Sequence, residues 1–454
     1  MRSDNSPYKS HFKAVFSVFI VAILAVLRAA PPIAGAEEKM TLPDAYRLAL
    51  GNHESIAIAR EQLIQSQKTK SMAYSFILPK LSASGRYRKF TEKQTSPNGT
   101  SLLQPDSTTN LEVKLEQLLY GGGRSLSGIR QAKKGESASR IAVEYANELV
   151  IIQTARDFYG ALRSAREVEI KEASLKRAEQ QQRVSRARLR AGTATKTLVL
   201  RADAEAAGIT AELFSARAEL KNAIWRLGRI TGAVATEIVV YPPPEEELPE
   251  LKVEELVALA LEKRRDYRIL DLEREMAYHG VRYARGGFLP TVTLEGIYIN
   301  RDQSPTTVLF VEESIYGGVN VSVPIFEGGL KRAELGEAKS KLKEAELEKL
   351  SLRRDIEIEV REAYNNVETL SYIIESFSKQ NLFAKENYDM VFKQFSYGIL
   401  DNLDVIDADA TLVAAELGLM NAKYDHQLGL LELKRSAGVL LSEVGDVVKG
   451  ASAK

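Results

Sequence analysis

Leu42-Pro-Asp-Ala-Tyr-Arg-Leu-Ala-Leu50 returns 211 residues later as Val253-Glu-Glu-Leu-Val-Ala-Leu-Ala-Leu261. The same offset carries Leu78-Pro79 onto Leu289-Pro290, and Gly85 and Tyr87 onto Gly296 and Tyr298. A shorter second loop then changes the offset to 206, where Tyr120-Gly-Gly-Gly123 meets Phe326-Glu-Gly-Gly329. That offset also pairs Gly192 with Gly398, Ala202-Asp-Ala204 with Ala408-Asp-Ala410, and Gly232 with Gly438. Matching at so many fixed positions means that the chain is duplicated. The first unit occupies residues 37–232 and the second 252–438, with a tail over 439–454. Between the units, residues 233–251 hold Tyr241-Pro-Pro-Pro244-Glu-Glu-Glu-Leu-Pro249, which by composition is an extended, exposed linker.

Each unit repeats one order of elements. A helical stretch (42–77; 253–288) stops before Pro79 or Pro290, which cannot continue a helix. Alternating segments follow: Leu81–Tyr87 and Leu111–Leu115 in the first unit, Val292–Ile299 and Val319–Val323 in the second. They read as two β-hairpins, about 80–120 and 290–326, each with a polar loop at its far end. The aromatic-x-Gly-Gly segments then turn the chain into long helices. No proline occurs between Pro105 and Pro242 or after Pro324. Ile356, Val360, Ala363, Val367, Leu370, Ile374 and Phe377 step 4-3-4-3-4-3, a coiled-coil seam. Ile151, Ala155, Phe158, Leu162 and Ala165 repeat it in the first unit. A helix from Arg124 to Ala191 would be about 100 Å long.

The N-terminus reads as an address. Lys9, His11 and Lys13 precede an apolar run of 14 residues, Ala14 to Leu27, and a small-residue site ends at Ala36. Residues 1–36 are therefore expected to be a secretory signal. An exported chain with no later run of 18 apolar residues can still enter a membrane as a β-barrel, whose strands need only about 10 alternating residues. Four strands cannot close such a barrel, since known ones start near eight, so three copies supplying twelve are expected. The competing reading is a secreted coiled-coil structural or adhesion protein capped by soluble hairpins.

Composition excludes most chemistry. There are 454 residues, with 62 Lys+Arg against 61 Asp+Glu, which leaves no basic excess for nucleic acid. With no cysteine there are no disulfides, thiolate metal sites or thiol nucleophiles. The histidines (11, 53, 279 and 426) are scattered, so neither a metal site, a cofactor site nor a catalytic triad is expected. Gly121-Gly-Gly-Arg-Ser lacks the Gly-Lys-Ser/Thr ending of a phosphate loop, and its partner Phe326-Glu-Gly-Gly-Leu marks it as a strand-to-helix turn.

The duplicated helix–strand–strand–helix units, the Leu-Pro entries, the aromatic-x-Gly-Gly exits and the reversals at Gly192 and Gly398 resemble the TolC family of outer-membrane efflux and secretion channels. The resemblance covers nearly all of the chain beyond residue 36. It implies a mainly α fold with β: a homotrimer whose paired hairpins close a 12-stranded transmembrane barrel above an α-helical tunnel in the periplasm. It implies a passive conduit rather than an enzyme, in an outer membrane of Gram-negative type. It also implies a periplasmic adaptor and an inner-membrane pump of RND, ABC or MFS type, with outer-membrane lipid around the barrel. Lacking cysteine, the chain lacks the acylated N-terminus of some relatives.

The segment Gly398-Ile-Leu-Asp401-Asn-Leu-Asp404-Val-Ile-Asp407 sits where the second long helix reverses, at the tip farthest from the hairpins. Asp404 and Asp407 are three apart and share a helix face. The family carries an Asp-x-x-Asp here as two acidic layers at the pore constriction, and these two residues match it. The other reading is that acids in a helix's first turn satisfy free N–H groups and the dipole, which suits Asp401 best. Relatives that hold the tip shut through tyrosine–aspartate and arginine–backbone links have, at the aligned positions, side chains that here are Phe395, Leu400 and Leu198. None can form those links, so apolar contact among the three is the expected closure. Tyr87, Tyr120, Tyr298, Tyr316 and Phe326 are candidates for aromatics at the membrane interface, core packing being the alternative.

Overall fold

The computed structural model describes residues 38–97, 102–233, 238–240, 242, 252–307 and 310–451. The expected signal segment and most of the expected linker lie outside the described residues; within the linker, residues 238–240 form a strand. The described chain begins with a short strand β1 (Glu38–Met40), then α1 (Leu42–Asn52) and α2 (Glu54–Ser75). The first hairpin comprises β2 (Lys80–Lys89) and β5 (Ser107–Gly121), with a small pair β3 (Gln94–Thr95) and β4 (Leu102–Gln104) in its loop. Helices α3 (Arg124–Arg190) and α4 (Lys196–Thr231) follow, then β6 (Ile238–Val240), parallel to β1. The second unit repeats the order as α5 (Val253–Lys263), α6 (Arg265–Gly286), β7 (Thr291–Ser304), β8 (Glu313–Ser322), α7 (Leu330–Ser396) and α8 (Asn402–Ser436). Helix α9 (Leu440–Ala451) ends the described chain.

Both long helices, α3 and α7, run for 67 residues, about 100 Å at 1.5 Å per residue. Their seams are buried where the heptads put them: Ile151, Ala155, Phe158 and Leu162 in α3, Ile356, Val360 and Val367 in α7. Duplication extends to the backbone. Among the described residues, eight glycines have positive φ and form four pairs at the 206 offset: 122/328, 123/329, 192/398 and 232/438. Each stands where a left-handed residue is required to turn the chain into or out of a long helix.

The two hairpins form a single antiparallel sheet, β2-β5-β7-β8, leaving β2 and β8 as free edges. Beneath it, α2, α3, α6 and α7 lie side by side, and lower down the order is α4, α3, α8, α7. Short helix α1 packs on α3 through Tyr46 and Ala49, which share a core with Phe158, Leu162, Leu227 and Ile230. Helix α5 does the same for α7, burying Leu256 and Ala260 against Ile356, Val360, Leu430 and Leu433.

Two features differ from the sequence expectation. The helical stretches 42–77 and 253–288 are each broken, at His53 and Arg264, which are extended (ψ 129° and 130°) and cap the helix on either side. These positions are again 211 apart. No proline stands at either break and the second has no glycine either, so pattern alone conceals it; the first follows Gly51-Asn52, a weak breaker signal inside a run that reads as helical on both sides. Second, part of the tail is α9, whose Leu440 and Val444 are buried in the first unit's core.

Candidate channel wall and helix tip

The register of the sheet assigns every strand residue to one of two faces. Leu81, Ala83 and Tyr87 of β2 pair with Leu115, Val113 and Thr109 of β5. Leu115, Val113 and Leu111 pair in turn with Gly296, Tyr298 and Asn300 of β7, and Leu294, Gly296 and Tyr298 with Val319, Gly317 and Ile315 of β8. This face is apolar and open: Ile315 is 76% exposed, Leu81 73% and Tyr87 66%. The opposite face carries Lys80, Arg86, Arg88, Glu112, Lys114, Glu116, Glu295 and Arg301, with Ile297 and Ile299 buried among them. Lys114 Nζ lies 3.0 Å from Glu116 Oε2 and 3.4 Å from Glu295 Oε2 on that side. An exposed apolar face backed by a charged one is unfavourable in water, and it is the alternation expected of strands with lipid outside and solvent inside. Along β7 the apolar face runs from Val292 to Tyr298, about 20 Å at 3.3 Å per residue.

The aromatic candidates separate by face. Tyr87 and Tyr298 stand on the apolar face, and a register shift after Leu118 brings Tyr120 to it opposite Val292. Tyr316 falls on the charged face, paired with Ile297, so the interface expectation does not hold for it. Phe326 is 86% exposed at the junction with α7.

At the other end of the long helices, α3 meets α4 at Gly192 and α7 meets α8 at Gly398. Asp401 is the N-cap of α8. Its carboxylate accepts from Asn402 N at 2.7 Å, and Asp404 Oδ2 accepts from Asp401 N at 3.0 Å, closing a capping box. Asp404 thus caps its own helix while remaining exposed, and Asp407, one turn on, is exposed with no such duty. Arg201 of α4 approaches Asp401 at 3.9 Å.

Phe395 and Leu198 share one buried cluster with Tyr388, Val405, Ala408 and Leu412, whereas Leu400 stands outside it, half-buried in the turn. Apolar contact therefore joins two of the three expected residues. Polar links that the sequence reading missed surround them. Arg188 Nη1 donates to Phe395 O at 3.1 Å, and its guanidinium lies 5.0 Å from the centre of the Phe395 ring. Buried Gln181 donates to the side chain of buried Asn402, which donates from Nδ2 to Leu198 O at 3.3 Å. Backbone acceptors carry no sequence signal, so only the basic residue in the last turn of α3 hinted at this network. Above it, Ser174 Oγ donates to Asp409 Oδ2 at 2.6 Å, and Arg177 pairs with Asp409 beneath the Tyr388 ring. Burial and the Asp409 charge push the Tyr388 hydroxyl far above the usual phenol range.

Two long helical hairpins joined through their tips, under a sheet with one apolar face, are the geometry of a duct wall. The sequence profile of the outer membrane efflux protein family matches residues 45–233 and 256–439. The chain belongs to that family. It is similar to outer membrane protein TolC of Vibrio cholerae serotype O1, 24% identical across 96% of this chain and 98% of that protein. It is likewise 24% identical to the alkaline protease secretion protein AprF of Pseudomonas aeruginosa, over 88% of this chain and 84% of the relative. The fold matches the crystal structure of the Campylobacter jejuni CmeC outer membrane channel with a TM-score of 0.78 at 18% identity, covering 90% of this chain and 89% of that one. Membership in the outer membrane efflux protein family makes the chain an outer-membrane export duct whose helices extend into the periplasm. Proteins of this family act with adaptor and inner-membrane pump partners.

Proposed function

We propose that three copies of the chain form the duct, the β2 edge of each copy pairing with the β8 edge of the next to close twelve strands. The observation that carries this reading is the four-stranded sheet itself, apolar on one face, charged on the other and unpaired at both edges. Closure satisfies the edge N–H and C=O groups, which a membrane cannot leave unpaired. Below the barrel, α4 of one copy would meet α7 of the next, covering exposed Leu200, Phe214 and Trp225 on α4 and Leu382, Phe383 and Met390 on α7. The relatives named for TolC and protease secretion support discharge from either an efflux pump or a type I secretion system. The pump would be of RND, ABC or MFS type, reached through a periplasmic adaptor.

At the tip, threefold symmetry would turn exposed Asp404 and Asp407 into two stacked acidic layers about one helix turn apart, favouring cation entry. Arg188, Gln181 and Asn402 support this by fixing the α3 tip against the α7–α8 turn. The test is mass and negative-stain imaging of protein extracted from outer membranes in mild detergent. A three-chain particle about 140 Å long is expected, from a helix of about 100 Å and a barrel about 40 Å tall. Protein released without detergent as a shorter rod would sink the proposal. In planar bilayers, Asp407→Asn should then lower cation preference and relieve block by trivalent cations. A variant with unchanged selectivity would remove the acidic layers from the account.

A further inference from the structure

The two ends of the sheet differ in charge. Three stretches of sequence, residues 62–91, 117–135 and 276–294, contain no aspartate or glutamate at all. All three cross the junction between the helices and the sheet: the end of α2 with all of β2, the end of β5 with the start of α3, and the end of α6 with the start of β7. Within 76–80, 116–134, 282–295 and 327–334, the segments that surround this junction, nine lysines and arginines face four glutamates. Two of those glutamates, Glu116 and Glu295, are held by Lys114 on the charged face of the sheet; the other two, Glu327 and Glu334, pair with Lys331, and Lys134 pairs with Glu275 of α6, which leaves Arg282, Arg285 and Arg332 among the cations that no acid in these segments holds. At the loop end, within 86–93, 106–112 and 301–313, five cations face six acids. A solvated surface has no reason to sort charge by sheet end.

The same junction exposes a girdle of large apolar side chains directly below the apolar face. Phe76, Leu78, Leu119, Phe288, Ile325 and Phe326 are all exposed there. Cations lie at the same level: the Arg124 guanidinium is 4.5 Å from the ring centre of Tyr283, which is itself exposed. Arg285 and Arg332, in the last turn of α6 and the first of α7, are exposed. The headgroup layer on each side of a bilayer is about 5–8 Å deep, roughly one helix turn, and Arg282 and Arg285 at the end of α6 and Arg332 in the first turn of α7 lie within about that depth of the sheet.

We propose that this junction is a collar for the anionic phospholipid headgroups of the periplasmic leaflet, the apolar girdle seating in the acyl boundary and the cations on the phosphates. The proposal rests on the membrane-spanning reading of the sheet and adds to it a leaflet, a lipid class and the residues that bind it. The collar is continuous with the apolar face, so a bilayer covering that face reaches the cations without any further contact. Each cation near such a surface contributes roughly a fivefold gain in binding, and the charge balance sets the depth and vertical orientation of the sheet.

The full chain in mild detergent is titrated with short-chain phosphatidylglycerol, short-chain phosphatidylcholine and inorganic phosphate, and retained lipid is counted by native mass spectrometry. Phosphatidylglycerol should bind in preference to phosphatidylcholine, and the preference should vanish in about 1 M salt, where the screening length is about 3 Å. Arg282→Gln/Arg285→Gln/Arg332→Gln should weaken phosphatidylglycerol binding about 100-fold. The matching loop-end variant, Arg86→Gln/Arg88→Gln/Arg301→Gln, should leave it unchanged. Equal loss in both variants, or no preference between the two lipids, overturns the collar. Inorganic phosphate competing as well as the lipid would reduce the junction to a phosphate site and overturn the lipid assignment. Should the triple variant fail to insert, the single Arg285→Gln and Arg332→Gln variants and the salt dependence of the unmodified chain decide the same question. A chain that stays soluble without detergent fails the membrane reading instead, a separate outcome.

Discussion

Glycine 438 shows how much one residue can be asked to do. Its φ is +77°, and a Cβ there would stand 2.8 Å from Arg264 N and 2.9 Å from Lys263 C, backbone atoms that cannot swing aside. Gly398 has a similar φ of +84°, but a Cβ there meets nothing closer than the Arg188 guanidinium at 3.7 Å. Gly398→Ala should therefore carry only the left-handed strain of about 1–2 kcal/mol, while Gly438→Ala adds a backbone clash. Thermal unfolding in detergent should rank them in that order, and equal shifts would refute the packing argument. His279 of α6 is a second single-residue case. Burial first, then Arg130, Arg282 and Lys134, hold its pKa below the ordinary value of 6.5. A histidine depressed in the folded state favours folding while neutral, so its contribution is present at high pH and is lost as pH falls below 6.5 through the folded value. His279→Gln should leave stability at pH 8 nearly unchanged and flatten the loss on acidification. Identical acid limbs for the two proteins would show that the ring is not so placed. Single residues were also where the sequence misled. Asp401, Asp404 and Asp407 were legible by spacing, but Arg188 and Asn402 act through carbonyl oxygens, which no side-chain pattern reports.

Elements repeat faithfully, yet the two units fasten their broken helices differently. In the first unit the break is His53, whose Nδ1 accepts from Ser55 N at 3.2 Å, a local cap, while Asn52 Nδ2 reaches Thr231 O at 3.2 Å. In the second unit the equivalent residue is Arg264, with a side chain only 7% exposed. It pairs with Asp266 at 2.7 Å and with Glu359 of α7, which also holds Arg435; Arg435 pairs with Glu432 at 2.9 Å, and Glu432 with Arg156 of α3. This alternating line of charge ties α6, α7, α8 and α3 together at the level of the helix breaks. Removing one member of a buried set leaves its partners uncompensated, so Arg264→Ala should cost about 3 kcal/mol or more. His53→Ala loses a cap and should cost about 1 kcal/mol. Comparable melting shifts would mean that the two junctions are equivalent after all. The hairpins, the long seams and their glycine ends were readable because each follows from a local period or a backbone constraint. The break at Arg264 was not, since what stabilises it lies about 95 residues away at Glu359, which Arg435 also holds.

Over the whole molecule, everything unfinished in one copy lies at the two sides of the layer. Edge strand β2 and helices α2 and α4 bound one side, and β8 with α7 bounds the other. A heterologous contact of one side with the other closes a ring when the rotation between copies divides a full turn. The absence of cysteine makes this directly measurable, because any introduced pair reports without background. Ser82 of β2 and Asn320 of β8 lie on the charged face at the outer sides of the sheet. Within one copy two strands separate β2 from β8, so their Cα atoms are at least about 14 Å apart, beyond the roughly 7 Å limit for a disulfide. A bond between Ser82→Cys and Asn320→Cys can form only between copies. Oxidation of the double variant in outer membranes, with Gly318→Cys and Ser322→Cys as register alternatives, should give a non-reducing ladder that stops at three chains. Each single variant should stay monomeric on the same gel. A ladder running past three would mean that the rotation does not close as a trimer. With no ladder at any register, the free strand edges would have to be covered by something other than a second copy of this chain.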